Sequence, residues 1–385
     1  MNLSCPLQKE WAFSGFLARF GGMKQIFVLA ASISFLLACS TEMDQEPDFG
    51  AEQAIIQGAA CGAAVHPSAV AILLEMTVWG QQMAQIMCTG TLIAPDVVLT
   101  AAHCADPSIM LFGIQPDSYQ YFISFDADLE QYTVDPFNSP AFPANAIPVV
   151  AESVHPDFDI NNMTGAVSGP GQYDDIGLFF LSEEVTHVLP TYVVTSDEAA
   201  ALDVGTDVQI AGWGQQEPTP QGQQMPPPGT LGIKQCAATI INEMGAFEIQ
   251  VGRNDTTQRK CHGDSGGPTY YDVPGDDIDS QRVIGVTSHA YDSTDCAEKG
   301  GVDTRVDAYL DWINQEMTAA CVNGTRIWCD IEGIIPPHYF QDDPGLTDST
   351  EEPTGCTCSH RRQQSQAVMA LLIVSLLPVF RRKRL

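Results

Sequence analysis

The sequence is poor in positive charge, and this shortage narrows the classes of protein that the chain can represent. Its 385 residues include 17 lysines and arginines against 48 aspartates and glutamates, which gives a formal net charge of −31. Six of the basic residues lie after residue 360, so the rest of the chain is more acidic still. Proteins that bind nucleic acids present a basic surface to the phosphates, and this composition argues against such a partner.

The cysteines lack the spacing that is typical of a zinc site. No Cys-x-x-Cys pair is present in the sequence, and no pair of histidines follows at ligand distance. We therefore expect neither a metal ion nor another cofactor.

What the sequence does contain is a glycine-rich segment around Ser265, with the sequence GDSGGP at residues 263–268. Glycine allows positive φ and a close approach of the backbone to a ligand. Such a loop can present a hydroxyl beside converging N–H groups, which is the geometry of a nucleophile next to an oxyanion hole. The alternative is a glycine-rich turn with an incidental serine, although this hexapeptide is far rarer by chance than Gly-x-Ser-x-Gly.

A serine hydroxyl becomes a strong nucleophile only when a base takes its proton. His103 lies between small residues just after an apolar run, residues 91–99, which is typical of a buried strand. Asp175 directly precedes a second apolar run and could orient the imidazole, whereas the neighbouring Asp174 does not abut that run. Each residue alone also has a structural explanation. Together with Ser265, the order His, Asp, Ser predicts a catalytic triad.

Over about residues 55–316 the chain resembles the chymotrypsin- and trypsin-like serine proteases. Six short motifs carry the resemblance: TAAHC at 100–104, HPDF at 155–158, DIGL at 175–178, GWG at 212–214, GDSGGP at 263–268 and VTS at 286–288. The resemblance implies an all-β fold of two six-stranded antiparallel β-barrels with a C-terminal helix. It also implies that the active site lies in the cleft between the barrels.

The same resemblance implies a serine endopeptidase and assigns its catalytic roles. Ser265 would attack the peptide carbonyl, His103 would take and return the proton, and Asp175 would orient the imidazole. The N–H groups of Gly263 and Ser265 would bind the oxyanion. The alternative function is an inactive, protease-like surface protein that binds or adheres, but such a protein would be expected to have lost a triad residue. An esterase would be expected to show an α/β pattern with the order Ser, Asp, His.

The residues before the protease-like region indicate a zymogen. The sequence IIQG at 55–58 resembles the first residues of an activated protease of the family, and residues 40–54 read as a propeptide. In the family, cleavage frees an α-amino group that pairs with the aspartate before the catalytic serine, which here implies Ile55 and Asp264. Ala54 precedes the junction in place of Arg or Lys, so a trypsin-like activating protease is not implied.

The specificity pocket departs from that of trypsin. Six residues before the serine, where trypsin-like enzymes carry an aspartate, this chain has Arg259. The resemblance completes the pocket with Ser288, His289, Ala290 and Gly301. A cation at this place argues against cleavage after Lys or Arg. Arg259 and His289 together favour an acidic residue before the scissile bond, unless the arginine turns its charged end out of the pocket.

The resemblance also implies a set of disulfides, with one further local pair beyond the last helix. The expected pairs are Cys88–Cys104, Cys261–Cys296, Cys61–Cys236 and Cys321–Cys329.

Residues 1–39 read as an export signal, with Met23 as the true start. Its end, LLAC at 36–39, resembles a bacterial lipobox in which Cys39 is lipidated, and the alternative is an ordinary signal peptide with a chance cysteine. Both interpretations predict export from the cytoplasm, where disulfides are permitted.

After the protease domain, at residues 55–318, we expect an acidic linker (319–355) and a tail (356–385). The apolar run at 367–380 would reach only about 21 Å as a helix, short of a hydrocarbon core of about 30 Å. With its basic end, the tail resembles surface-sorting signals of the MYXO-CTERM type. The alternative is a short membrane anchor. Both place the protein at the outer surface of a Gram-negative cell, where its partners would be peptide or protein substrates, an activating protease and the membrane.

Overall fold

A computed structural model describes the protease-like region of the chain. The described residues are 55–56, 58–110, 115–133, 135–163, 169–217, 230–253, 257–274, 280–291 and 296–329. The predicted export signal with Cys39, the predicted propeptide, the linker beyond residue 329 and the tail lie outside these residues. Within the described ranges, no helix combines the length and the apolar character needed to span a bilayer.

Strands dominate the described residues. In chain order they are β1 (Ala59–Ala60), β2 (Ala69–Val78), β3 (Gln81–Ala94), β4 (Val97–Thr100), β5 (Ser118–Ser124), β6 (Ile147–Val154), β7 (Gly177–Leu181), β8 (Tyr192–Val193), β9 (Asp207–Gly212), β10 (Gln235–Met244), β11 (Glu248–Val251), β12 (Pro268–Asp272), β13 (Gln281–Ala290) and β14 (Gly301–Arg305). The helices are α1 (Pro107–Met110), α2 (Ile160–Met163), α3 (Ser196–Ala199), α4 (Cys296–Lys299) and α5 (Leu310–Val322), with short 3₁₀ turns at Ala102–Cys104, Glu130–Tyr132 and Val306–Tyr309.

The first barrel closes in the order β2-β3-β4-β7-β6-β5, with antiparallel neighbours throughout. Its first hairpin turns at Trp79 and Gly80, which both have positive φ (52° and 75°), as a two-residue turn between twisted strands requires. β7 is buried at every position, since its continuous apolar sequence GLFFL faces protein on both sides. His103 lies shortly after the last residue of β4, and Asp175 lies shortly before the first residue of β7. This barrel therefore carries two of the predicted triad residues.

The second barrel closes in the order β9-β10-β11-β14-β13-β12, because β9 pairs with both β10 and β12. β1 adds to β10, and β8 pairs in parallel with β13. Two six-stranded antiparallel barrels followed by the helix α5 confirm the predicted chymotrypsin-like fold.

The C-terminal part of the described chain extends beyond the predicted domain end at residue 318. That residue lies inside α5, which buries Ile313 and Met317 against the core. After the helix, Arg326 reaches the β3–β4 turn, where its Nη2 lies 2.8 Å from Oδ1 of the fully buried Asp96. The N–H groups of residues 327 and 328 donate to the other carboxylate oxygen at 3.0 and 3.2 Å. The residues after the helix are therefore attached to the first barrel.

All four expected disulfides are present in the structure. They join Cys61 to Cys236, Cys88 to Cys104, Cys261 to Cys296 and Cys321 to Cys329.

Candidate active site

His103 and Asp175 meet at the edge of the first barrel. His103 lies in the 3₁₀ turn after β4, which the Cys88–Cys104 disulfide attaches to β3, and Asp175 directly precedes β7. Nδ1 of His103 lies 2.7 Å from Oδ2 of Asp175, and the backbone N–H of His103 donates to Oδ1 at 2.9 Å. Because a carboxylate only accepts, the imidazole carries its proton on Nδ1 and leaves Nε2 free to act as a base.

The Asp175 carboxylate is fully buried and receives a third hydrogen bond from the second barrel. Ser288 Oγ donates to its Oδ2 at 2.6 Å. Burial alone would raise the pKa of Asp175, but the nearby His103 and these hydrogen bonds hold the pKa below its ordinary value. The group therefore stays ionised at neutral pH and can stabilise an imidazolium.

Asp174, the competing candidate, points elsewhere. Its backbone has a φ of +54°, and its Oδ1 accepts a hydrogen bond from the hydroxyl of Tyr309 at 2.8 Å. The structure brings Asp175, and not Asp174, to His103.

Ser265 lies in the loop that precedes β12, here called the serine loop (residues 261–267). Its side chain and that of His103 line one cavity of about 270 Å³. Within the described part of the chain, no hydrogen bond joins His103 to the Ser265 hydroxyl. Such a contact is commonly loose in a free enzyme and tightens when substrate binds.

The serine loop offers two free backbone donors beside Ser265. Gly263 and Gly266 have φ values of +93° and +77°, which only glycine adopts at low cost. Among the hydrogen bonds of the described residues, the N–H groups of Gly263 and Ser265 donate to no protein acceptor. They are therefore available for the charge that develops on a substrate oxygen.

Asp264 is buried beneath this loop, and its carboxylate accepts the N–H groups of Gly214 (2.8 Å) and Cys261 (3.0 Å). Burial outweighs these hydrogen bonds and raises the pKa of Asp264 to about 6. Ile55, its predicted partner, is fully buried with a φ of +43°, an unfavourable value for a β-branched residue. No hydrogen bond or ion pair between the described residues Ile55 and Asp264 is present. In this intact chain the Ile55 nitrogen is a peptide N–H, without the positive charge that such a pair requires.

The predicted specificity residues separate into two groups. Ser288, His289, Ala290 and Gly301 all line the cavity. Arg259 does not, because its Nη1 turns back to donate to the carbonyl of residue 257 at 3.1 Å and its side chain is buried. The prediction that the charge of Arg259 faces the pocket is therefore wrong, and the reason is the freedom of a long side chain to turn its end away.

Lys260, which sequence reasoning missed, lines the cavity in its place. Its ammonium lies 2.7 Å from Oδ2 of Asp303 and 2.7 Å from Oγ1 of Thr287, with the carbonyl of Gly267 at 3.4 Å. Burial lowers the pKa of Lys260, and the adjacent Asp303 opposes that shift. The wall of the pocket therefore contains an ion pair that is inaccessible to solvent and whose two charges compensate each other.

Glu248 is a second residue that sequence reasoning missed. Its Oε2 lies 3.3 Å from Nε2 of His289 and accepts the N–H of Gly171 at 2.6 Å. The other ring nitrogen of His289 lies 2.8 Å from the carbonyl oxygen of Ala290. Burial favours a neutral ring, but the hydrogen bond and charge of Glu248 raise the pKa of His289 above its ordinary value. Both ring nitrogens face acceptors, so the geometry favours the imidazolium.

Among the described residues, two sets of side chains lie close enough together to share a metal ion. One set is His103 with Cys88 and Cys104, and the other is His262 with Cys261 and Cys296. All four cysteines are in disulfides and offer no thiolate.

A family model described as Trypsin matches residues 55–313. The chain is 30% identical over 246 residues to melanization protease 1 of Drosophila melanogaster, covering 60% of this chain and 58% of that protein. It is 30% identical over 240 residues to chymotrypsin-like elastase family member 1 of Macaca fascicularis, covering 60% and 79%. With human kallikrein-11 it shares 28% identity over 284 residues, covering 70% and 82%. The chain spans about 60% of the length of three of the insect proteases that it matches.

Proposed function

Since the chain belongs to the trypsin family of serine proteases, we propose that it is an endopeptidase that cleaves peptide bonds through an acyl-enzyme on Ser265. The observation that carries this proposal is the 2.7 Å hydrogen bond from His103 to the buried Asp175, on the wall of the cavity that also contains Ser265. An imidazole held in this tautomer has its free nitrogen available to a hydroxyl.

In the proposed reaction, Nε2 of His103 takes the proton from Ser265 Oγ as this oxygen bonds to the scissile carbonyl carbon. The N–H groups of Gly263 and Ser265 hold the resulting oxyanion. The imidazolium then gives its proton to the leaving amine, and the C–N bond breaks. Water hydrolyses the acyl-enzyme by the same steps. Asp175 stays ionised throughout and stabilises the imidazolium.

We also propose that the chain is made as a zymogen and is activated by cleavage before Ile55. Support comes from the Asp264 carboxylate, which is buried and has a pKa raised to about 6. Among the described residues, its hydrogen-bond donors are backbone N–H groups and not a cation. A free α-ammonium group at Ile55 would supply that cation and keep Asp264 ionised. Forming the pair would stabilise the serine loop that carries both proposed oxyanion donors.

For the substrate, we propose an uncharged side chain before the scissile bond. Arg259 turns away from the cavity, and the ammonium of Lys260 already has three acceptors, one of them the carboxylate of Asp303. A charged substrate side chain would find no unpaired partner there and would lose its hydration.

We further propose that the enzyme acts at the envelope surface of the cell. This proposal rests on the sequence alone, through the lipobox-like LLAC at 36–39 and the tail at 356–385. Cleavage before Ile55 would separate a lipid on Cys39 from the catalytic domain, so the tail would then be the attachment.

The test is a reaction of the full chain with a fluorophosphonate probe, followed by intact mass and N-terminal sequencing. We expect one label on Ser265 of a form that begins at Ile55. The Ser265→Ala variant should keep its thermal melting profile and take no label. A labelled Ser265→Ala variant would overturn the catalytic assignment, and an unlabelled form beginning at Ile55 would favour the binding-protein alternative.

A further inference from the structure

We infer that the hydroxyl of Thr89 positions the oxyanion hole, a role that rests on the proposed peptidase activity. Thr89 lies on β3 of the first barrel and is fully buried, yet it contacts the serine loop of the second barrel. Its backbone N–H donates to the carbonyl of Ser265 at 2.8 Å, and its Oγ1 donates to the carbonyl of Gly263 at 3.1 Å. A side chain from one barrel therefore restrains the loop that carries the nucleophile in the other.

The two peptide units that carry the proposed oxyanion donors are each held at their carbonyl end. The unit that contains the Gly263 N–H ends in the carbonyl of His262, which accepts the N–H of Gln215 at 2.7 Å. The unit that contains the Ser265 N–H ends in the carbonyl of Asp264, which accepts the N–H of Gly267 at 2.8 Å. Both contacts are between backbone groups, and each restrains its donor only from the carbonyl end of the peptide unit.

The peptide unit between these two is different, because its carbonyl oxygen, on Gly263, is held by the Thr89 hydroxyl. The N–H at the other end of this unit, on Asp264, donates to the carbonyl of Cys261 at 3.0 Å, so the Thr89 hydroxyl is one of the two hydrogen bonds that hold it. Without that hydroxyl the unit can rotate about the remaining contact, since Gly263, with a φ of +93°, has no Cβ. Rotation would turn the flanking units with it, and both N–H donors would lose their common direction.

The surroundings of Thr89 fix the direction of its hydroxyl. The N–H of Trp213 approaches Oγ1 at 3.4 Å as a donor, which leaves the hydroxyl proton for Gly263. The carbonyl of Thr89 accepts the hydroxyl of Thr100 at 3.0 Å, so the backbone at this position is also held. Thr89 thus joins a network in which donors and acceptors match, and it cannot easily turn away from the loop.

The test is to replace the hydroxyl by a methyl group of nearly the same size, in Thr89→Val. Preorganised N–H donors stabilise the developing oxyanion best when they point directly at it. Removal of one such donor lowers kcat by about 10²–10³-fold. Thr89→Val should misalign the two N–H donors without removing either, so we expect kcat to fall about tenfold. KM should stay within about twofold, because the substrate ground state does not need the oxyanion donors. Thr89→Ser keeps the hydroxyl and should stay close to the parent protein.

The matched control is Thr91→Val, two residues along the same strand. Thr91 is buried, and among the described residues its hydroxyl has no hydrogen-bond partner. All forms are made as the full chain, and rates are expressed per site titrated with the fluorophosphonate probe. Inhibition by a peptide boronic acid, which forms a tetrahedral adduct with the serine, is measured beside the hydrolysis of the matching peptide ester. We expect Thr89→Val to weaken boronate inhibition by about the same factor as kcat/KM.

The outcomes separate this inference from the proposed function. A parent protein that has been cleaved to begin at Ile55 and is still unlabelled and inactive overturns both. An active parent with unchanged kcat and boronate affinity in Thr89→Val overturns the inference alone, as does an equal loss in Thr91→Val. If Thr89→Val fails to fold, Thr89→Ala replaces it, since the titrated-site comparison is independent of the yield of folded protein.

Discussion

The proposed preference of the pocket for uncharged side chains depends most directly on the ion pair between Lys260 and Asp303. The two charged atoms lie 2.7 Å apart, and both side chains are completely inaccessible to solvent. Replacing Lys260 by Met removes the ammonium group and keeps an unbranched apolar side chain of similar length. The Asp303 carboxylate then stays buried, with the Thr269 hydroxyl as its remaining side-chain donor at 2.5 Å and with its Oδ1 still unpartnered.

The magnitude follows from the cost of leaving one charge buried alone. Removing one partner of a buried pair destabilises proteins by about 3–5 kcal/mol, a large part of a total stability of about 5–15 kcal/mol. We expect Lys260→Met and Asp303→Asn each to lower the free energy of unfolding by about this amount. The double variant has no unpaired charge, and it should recover most of the loss of either single variant, since replacement of both charges by neutral groups is often close to neutral.

The assay is unfolding of the full chain in guanidinium with the disulfides intact, followed by tryptophan fluorescence. Arg253→Met is the control, because Arg253 pairs at 3.6 Å with Glu243 while 52% of its side chain is exposed, and such pairs contribute about 0–1 kcal/mol. A loss below about 1 kcal/mol in Lys260→Met, or a double variant as unstable as the sum of the singles, would refute a compensated pair. The charges behind the pocket wall would then not compensate each other, and the proposed preference for uncharged side chains would lose its support.

Three further predictions concern other charged groups. The Glu248 carboxylate raises the pKa of His289 above its ordinary value. The stabilising contribution of this pair should therefore be complete below about pH 6.5 and lost as the pH rises through the higher pKa of the folded state. His289→Gln should remove this dependence, as measured by thermal melts at several pH values. The pKa of Asp264 is raised from 3.8 to about 6, so in the unprocessed chain this group should lower the free energy of unfolding by about 2 kcal/mol as the pH rises from 4 to 7. Asp264→Asn should abolish that loss, and an unchanged pH profile in this variant would contradict the assignment. Arg326→Met leaves the buried Asp96 without its cation and should lower the free energy of unfolding by about 3 kcal/mol, whereas a change under about 1 kcal/mol would mean that the backbone donors suffice.

The parts of the site that could be predicted from the sequence are those that short motifs specify locally. Ser265 is recognisable because the glycines around it are needed for positive φ. His103 is recognisable by its place between small residues at the end of a strand, with a cysteine beside it. Asp175 is distinguished from Asp174 only by its position directly before the next strand. One residue of offset decides which carboxylate points inward, because the backbone at Asp174 is left-handed, with a φ of +54°. In each case the signal lies within a few residues of the group itself.

The compensating charges of the pocket could not be predicted in this way. Lys260 and Asp303 meet because Thr287 on β13 pairs with Asp303 on β14, and a shift of that register by one residue would turn the carboxylate to the other face of the sheet. The sequence likewise shows the charge of Arg259 but not its direction, which follows from its backbone bridge to Ile56 and its turn toward residue 257. The acidic composition after residue 318 favours a linker. The carboxylate that attaches Arg326 to the first barrel belongs to Asp96, 230 residues earlier in the chain, so no local pattern shows the attachment.

The proposed catalytic groups are held together by polar contacts that cross between the barrels. Asp175 belongs to the first barrel, yet Ser288 of the second donates to its carboxylate and Thr304 donates to its carbonyl oxygen at 2.9 Å. Thr89 makes the reciprocal contact, from the first barrel to the serine loop of the second. Hydrogen bonds of this kind add only about 1 kcal/mol each to stability, but they are directional, so they set the alignment of groups that apolar packing leaves free to slide. Conservative changes at these contacts should therefore reduce kcat more than they reduce the free energy of unfolding, whereas changes at Lys260 or Asp303 should affect stability first.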